Sequence, residues 1–191
     1  MRLNLGCGNN KIAGWVNVDK MPTCNPDQIV DLDALPWPWA DNSVQEVRLS
    51  HVLEHLGAET TTFFGIIKEL YRVCRDGAQI FIAVPHPRHD DFIADPTHVR
   101  PITPGSLTLF SQRKNREWIA KGAANTPLGL YLSVDFSIES VSIVLDEPWL
   151  SQYRRKEITE ADLRYATNHY NNVAKAYNII MRVVKSADGT K

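Results

Sequence analysis

The side chains that could do chemistry fall at a few places, each just after an apolar run. Gly6-Cys7-Gly8 follows Leu3 and Leu5, and Asp19 ends a second run about ten residues later. Asp31 and Leu32 follow the pair Ile29-Val30, Ser50 and His51 follow 44–49, and His86 follows 79–84 and Pro85. Farther on, the stretch DPTHVR carries His98 and Arg100. Two glycines let a loop turn sharply and bring a ligand against bare backbone. An acid at a strand end can accept hydrogen bonds from ribose hydroxyls, and an Asp-Leu pair can bond and cover a flat ring. The histidines can move a proton, and Arg100 can hold a carboxylate or phosphate.

The elements that must position these groups read as short buried strands alternating with helices or loops. The stretch 60–73 has its apolar residues at helical spacing, from Phe63 through Ile66, Ile67 and Leu70 to Val73. Such alternation predicts an α/β fold with a mostly parallel sheet and right-handed crossovers. Ligands of such sheets bind at the carboxyl ends of the strands, where Gly6, Gly8, Asp19, Asp31, His51 and His86 all fall.

The glycine loop departs from the dinucleotide fingerprint. Its third glycine is missing, because Gly8 is followed by Asn9, Asn10 and Lys11, and the short spacing to Asp19 leaves a stub of helix or only a loop. A pyrophosphate needs a helix N-terminus, so this argues against NAD. Cys7 reads as a small side chain packed in the cofactor loop. The three cysteines lack CxxC spacing and are expected to be reduced, with Cys74 in the core.

Pro36-Trp37-Pro38-Trp39 must be a loop, with its indoles anchoring it to the core. If 51–56 is helical, His51 and His55 share a face. Residues 86–127, rich in Pro, His and charge, are expected to form a substrate-side lid or insertion. Within them Thr103 is placed to cap a helix over 105–110, and 114–127 is ambiguous and assigned to the surface. A strand is expected over 136–145 with a bend at Glu139, a polar, partly helical stretch over 154–173, and a last strand over 177–184. Thr159 can cap a helix, but Asp162 in place of Glu or Gln argues against a reciprocal capping box. Residues 186–191 read as a frayed tail. One domain over 1–191 is expected, with no repeats.

The chain of 191 residues is 43% hydrophobic with a formal net charge of -1. That gives no electrostatic reason for nucleic-acid binding, and Arg88, Arg100, Arg113, Lys114 and Arg116 have few aromatics between them. No stretch is long enough to span a membrane, and a strand beginning almost at Met1 favours a cytoplasmic protein. HVLEH fits the H-x-x-E-H zinc pattern formally, yet it follows a strand in a cofactor-binding order and wants a third ligand. His86, His89, Asp95 and His98 contain no tight ligand pair. No metal is therefore expected.

LNLGCG, Asp19, DLDALPWPWADNSV and HVLEHL, in that order, resemble the class I S-adenosylmethionine-dependent methyltransferases, in particular a short, type 11-like branch with an abbreviated first helix. The resemblance covers 3–84 closely. It implies a Rossmann-like sheet of seven strands in the order 3-2-1-4-5-7-6, strand 7 antiparallel, with helices on both faces. It implies S-adenosyl-L-methionine as cofactor, with Gly6, Cys7 and Gly8 at its methionine part, Asp19 on the ribose, and Asp31 and Leu32 beside adenine. Ser50 and His51 would lie by the methionyl group and the acceptor opening. Asn4 stands where the family often has an acid and can bond the cofactor or the loop; Gln45 replaces another acid.

The expected activity is methyl transfer to a small polar acceptor such as a sugar or another hydroxyl or carboxylate compound. His51 is the first candidate base, followed by His86 and His98, with Arg100 as an acceptor anchor. A catalytically inactive cofactor-binding partner or interaction module is the alternative, and an NAD-dependent oxidoreductase ranks below it. A homodimer is left open.

Overall fold

The computed structural model describes residues 1–185; the tail expected at 186–191 lies outside the described residues. The elements, in chain order, are β1 (Arg2–Leu5), β2 (Val16–Asp19), β3 (Gln28–Ile29), β4 (Val44–Ser50), α1 (Thr60–Val73), β5 (Cys74–Pro85), α2 (Asp90–Ile93), α3 (Pro104–Thr108), α4 (Gln112–Ala120), α5 (Leu128–Leu132), β6 (Phe136–Leu145), α6 (Trp149–Arg154), α7 (Glu160–His169) and β7 (Ala174–Val183). Single 3-10 turns occupy Pro22–Cys24 and Leu53–His55. The strands form one sheet in the order β3-β2-β1-β4-β5-β7-β6. β1 to β5 run parallel, and β7 is antiparallel to both β5 and β6.

Burial explains why these segments take these places. Leu3, Leu5, Val18, Val47 and Leu49 in the central strands are at most 1% exposed and share one buried face, while Arg48 between Val47 and Leu49 is exposed on the other. In β5, Ala78, Ile80, Ile82 and Val84 alternate into the core with the period of two that a strand imposes. Along α1, Phe63, Ile66, Ile67, Leu70 and Val73 form the buried stripe. Each such side chain contributes about 1.5–3 kcal/mol on burial, so the stripe, not helix propensity, holds α1 to the sheet. A charge at Ile67 would therefore detach it.

The C-terminal half holds three differences from sequence expectation. Residues 114–127 are not simply surface, since α4 carries the fully buried Asn115, whose amide donates to the Leu109 carbonyl at 3.0 Å and accepts from the Leu130 amide at 3.1 Å. That satisfied side chain joins α3, α4 and α5. Thr159 and Asp162 do form a reciprocal capping box, because the Asp162 carboxylate reaches the Thr159 amide at 2.8 Å; the shorter acid suffices. An unexpected helix, α6, precedes the polar stretch 154–173, whose helical part is α7. The bend at Glu139 is a bulge between Ile138 and Ser140, and its carboxylate takes bonds from Gln79 and Arg182. No helix among the described residues is long and apolar enough to cross a membrane.

Candidate functional site

The turn after β1 is built on a left-handed glycine. Gly6 has φ +63°, and a Cβ there would lie 2.4 Å from Val52 Cγ2, so both backbone and space exclude a side chain. The turn is tied to β2 twice: the Cys7 amide donates to the Val18 carbonyl at 2.9 Å, and the Gly8 amide donates to Asp19 Oδ2 at 2.8 Å. Asp19 Oδ1 accepts from the Met21 amide at 2.9 Å. Each carboxylate oxygen keeps acceptor capacity beyond these bonds.

No helix forms between β1 and β2. Asn4 Nδ2 donates to the Asn10 carbonyl and to Asn17 Oδ1, both at 2.9 Å, and Asn17 Oδ1 also accepts from the Ile12 amide at 2.8 Å. These asparagines supply the partners that a helix would otherwise give the loop backbone. Asn4 therefore bonds the loop, one of the two roles open to it, and both of its donors are used there.

β3 is only two residues long, so the second wall is held by side chains. The Trp37 indole donates to the Leu32 carbonyl at 3.0 Å, and Trp37 and Trp39 meet edge to face with centroids 5.6 Å apart. Both are buried and act as loop anchors. Arg72 donates to the carbonyls of Trp37 and Trp39, and Glu69, which it pairs at 2.7 Å, accepts from the Trp37 amide at 2.7 Å. Arg72 holds the Glu69 carboxyl below its usual range, with the Trp37 amide adding to the effect. Asp31 closes on the Asp33 amide, and Asp33 Oδ1 accepts from the Gly57 amide at 2.9 Å.

Beyond β4 the backbone turns at His51, a non-glycine residue with φ +55° whose amide donates to the Ala83 carbonyl. Such residues are sparse and concentrate at functional positions. The sequence places His51 and His55 on one helix face only if 51–56 is a helix. It is a single 3-10 turn beginning at Leu53, with His51 outside it. Glu54 is completely buried, and its Oε1 lies 3.5 Å from His51 Nδ1. The Glu54 carboxylate raises the proton affinity of His51 against the opposing effect of burial.

These walls enclose a pocket of about 370 Å³ lined by Gly6, Asp19, Lys20, Val30, Asp31, Leu32, His51, Val52, His55, Leu56 and Thr97. Two acids and two histidines thus face an apolar wall at the carboxyl ends of β1 to β4. A second hollow, of about 460 Å³, shares Gly6 and is lined also by Asn4, Cys7, Lys11 and Ser50. Cys7 is buried, and burial together with the Asp19 charge pushes its thiol up, away from a reactive thiolate.

No protein-family model matches the sequence, and no curated protein matches it. Solved structures do. A SAM-dependent methyltransferase from Archaeoglobus fulgidus superposes with a TM-score of 0.63 at 19% identity, over 95% of this chain and 85% of that one. One from Methanosarcina mazei gives 0.56 at 13%, over 97% and 92%. The chain has the class I methyltransferase fold. The [4+2]-cyclase SpnF also matches, with a TM-score of 0.53 at 14% identity, over 97% of this chain and 75% of that one. The fold alone thus leaves the reaction to be argued from the site.

Within the methyltransferase fold, the remaining candidates separate. His86 is buried against Tyr177, its ring centroid 4.8 Å away, and is not among the residues lining the pocket. Burial lowers its proton affinity, and Arg88 and His89 lower it further. Arg100 sits over the Phe63 ring at 4.1 Å and donates to the Gly57 and Ala58 carbonyls. Its guanidinium is engaged in holding 95–102 against the start of α1. His98 lies behind His55, with ring centroids 4.6 Å apart. Ser50 lines the second hollow rather than the first.

Residues that line the pocket but were not among the sequence's site candidates are Lys20, Val30, Val52, His55, Leu56 and Thr97. Thr97 had a local signal, since Asp95-x-Thr97 is an Asx-turn pattern and the Asp95 carboxylate does accept from the Thr97 amide at 2.8 Å. Glu54 was visible as the one charged residue in VLEHL, but its burial was not.

Proposed function

We propose that this protein binds S-adenosyl-L-methionine in the 370 Å³ pocket and transfers its methyl group to a small polar acceptor, a sugar or another hydroxyl or carboxylate compound. The observation that carries the reading is the grouping of Asp19, Asp31, Leu32 and His51 on one pocket, to which the glycine turn contributes Gly6. The residues fit the cofactor's parts. Asp19 retains acceptor capacity for ribose hydroxyls, and its bonds to Gly8 and Met21 hold the carboxylate in place before the ligand arrives. Val30, Leu32 and Leu56 offer an apolar wall for a flat base, with Asp31 at its edge.

When bound, the cofactor supplies a methyl group activated by a positive sulfur. The protein's task is then to orient the acceptor and accept its proton where one is released. His51 is the residue placed for this: its side chain is 58% exposed, it lines the pocket, and Glu54 faces its Nδ1, leaving Nε2 for the acceptor. His86 and Arg100 are support residues in this reading. Residues 86–127 act as the acceptor-side rim, with Thr97 as their contribution to the pocket wall.

Isothermal titration of the full chain with S-adenosylmethionine, S-adenosylhomocysteine and NAD tests the cofactor. Binding of the first two but not NAD is expected, and absence of S-adenosylmethionine binding at millimolar concentration overturns the reading. Turnover against a panel of sugars, hydroxy acids and nucleotides, with His51→Ala as comparison, tests the acceptor and the base.

A further inference from the structure

The Glu54 side chain is wholly buried, and neither of its oxygens has a hydrogen-bond partner among the described residues. Leaving a carboxylate in this state costs several kcal/mol unless something compensates it. His51 Nδ1, at 3.5 Å, is its nearest charged neighbour and is too far for a good bond. Arg100, the other cation near the turn, is held by backbone carbonyls and forms no ion pair with it. Apart from the His51 imidazole, no cation pairs with the Glu54 carboxylate among the described residues.

Two histidines complete the pattern. One atom each from Glu54, His55 and His98 lie within 4.8 Å of one another. The hydrogen bonds around the imidazoles set their tautomers. Thr97 Oγ1 gives its only proton to Asp95 Oδ1 at 2.6 Å, so it accepts from His55 Nδ1, 2.9 Å away. The Phe92 carbonyl can only accept, so His98 Nδ1, at 2.8 Å, donates to it. Both rings therefore keep an Nε2 lone pair without a hydrogen bond, that of His98 lying 3.9 Å from Asp95 Oδ2. This outer arrangement, with each Nδ1–H held by an oxygen and Nε2 left free, is how metal-ligating histidines are oriented.

We infer that Glu54, His55 and His98 form a binding site for a divalent transition-metal ion at the edge of the pocket. Two imidazole nitrogens and one carboxylate suit zinc or manganese better than magnesium or calcium, which favour all-oxygen sets. Ligands about 2.1 Å from a tetrahedral ion stand roughly 3.4 Å apart, so atoms now up to 4.8 Å apart must close by at most about 1.4 Å, within reach of small χ changes. The sequence argued against a metal because HVLEH lacked a third ligand and His98 was grouped with His86 and His89. Tertiary structure instead pairs His89 with Asp146 at 3.0 Å and brings His98 to Glu54 and His55. Three protein ligands leave a position open, and His55 and Thr97 line the same pocket as Asp19. Resting on the proposed function, that position takes an oxygen of the acceptor, favouring hydroxyl or carboxylate compounds.

The test uses the full chain stripped with chelator and dialysed against Zn2+, Mn2+ or Mg2+ alone, with bound metal measured directly, and Co2+ absorption as a report of coordination. Expected are one tightly held Zn2+ or Mn2+ per chain, visible Co2+ bands, and weaker binding by at least about tenfold in Glu54→Gln and His98→Ala. S-adenosylhomocysteine titration of the same variants reports whether the cofactor pocket is intact. Melting curves add a readout that survives poor folding of one variant: Zn2+ raises the melting temperature of the wild type but not of Glu54→Gln. Absence of stoichiometric Zn2+ or Mn2+ in the wild type, or equal retention in both variants, overturns the inference. Metal binding without S-adenosylmethionine binding overturns the proposed function and leaves the metal site standing; the reverse result does the opposite.

Discussion

The Gly8 amide donates to the Asp19 carboxylate at 2.8 Å, joining the turn after β1 to the acid that ends β2. The two features most visible in the sequence are therefore one structural unit, and Asp19 has a role before any ligand binds. Asp19→Ala should weaken S-adenosylhomocysteine binding by roughly tenfold or more, since bonds to a charged group contribute about 1.5–3 kcal/mol each. Asp19→Asn, which keeps one acceptor oxygen, should lose less. Calorimetric titration of both variants decides this, and equal affinity in all three proteins would remove Asp19 from the site.

Gly6 and Val52 are in direct apposition, so Gly6→Ala should destabilise the protein by about 1–3 kcal/mol through left-handed strain and crowding. Val52→Ala placed on Gly6→Ala should recover the crowding part but not the strain. A double-mutant cycle by urea denaturation measures the coupling, and strict additivity would show that the two side chains do not compete for the space.

The Trp37 loop depends on Glu69, whose side chain is 13% exposed and bridges Arg72 and the Trp37 amide. Glu69→Gln should cost about 1–3 kcal/mol at pH 7. Because Arg72 lowers the folded-state pKa of Glu69, its contribution is present above the unfolded value of about 4.3 and fades as pH falls through the lower folded value. The gap in stability between wild type and variant should therefore narrow below about pH 4. Denaturation curves at neutral and acid pH check the sign.

Burial pushes the Cys74 thiol up to about 12, and its side chain is fully covered. At pH 7.5 a thiol reagent should label Cys24 first and Cys74 only after unfolding. Rapid labelling of Cys74 in the native protein, read by peptide mass, would contradict the packing of α1 on β5.

The strands and the polar groups at their ends were legible because each rests on local rules, while the order of the sheet came from the resemblance to the class I methyltransferases. A glycine turn, a strand-ending acid and an apolar pair announce themselves within a few residues, and α1 announces itself by its 3.6-residue period. The loop between β1 and β2 was legible only as a missing helix. What fills it, the bonding of Asn4 to Asn10 and Asn17, depends on two strands lying side by side. Asn115 was unreadable for the same reason: a polar residue in a polar helix looks exposed until its partners on α3 and α5 are in place.

By itself the sequence determined the strands, the glycine turn, the acids Asp19 and Asp31 and the position of His51 after β4, since these follow from backbone sterics and hydrophobic period. Only the tertiary structure decided which of the later polar residues reach the pocket. It turned Arg100 inward onto Gly57 and Phe63, set His86 against Tyr177, and brought Thr97 and His98 to Glu54 and His55 across more than forty residues of chain. Those pairings come from how 86–102 folds back onto the turn after β4 and the start of α1, and no spacing in the sequence encodes a contact between segments that meet only after the core has formed.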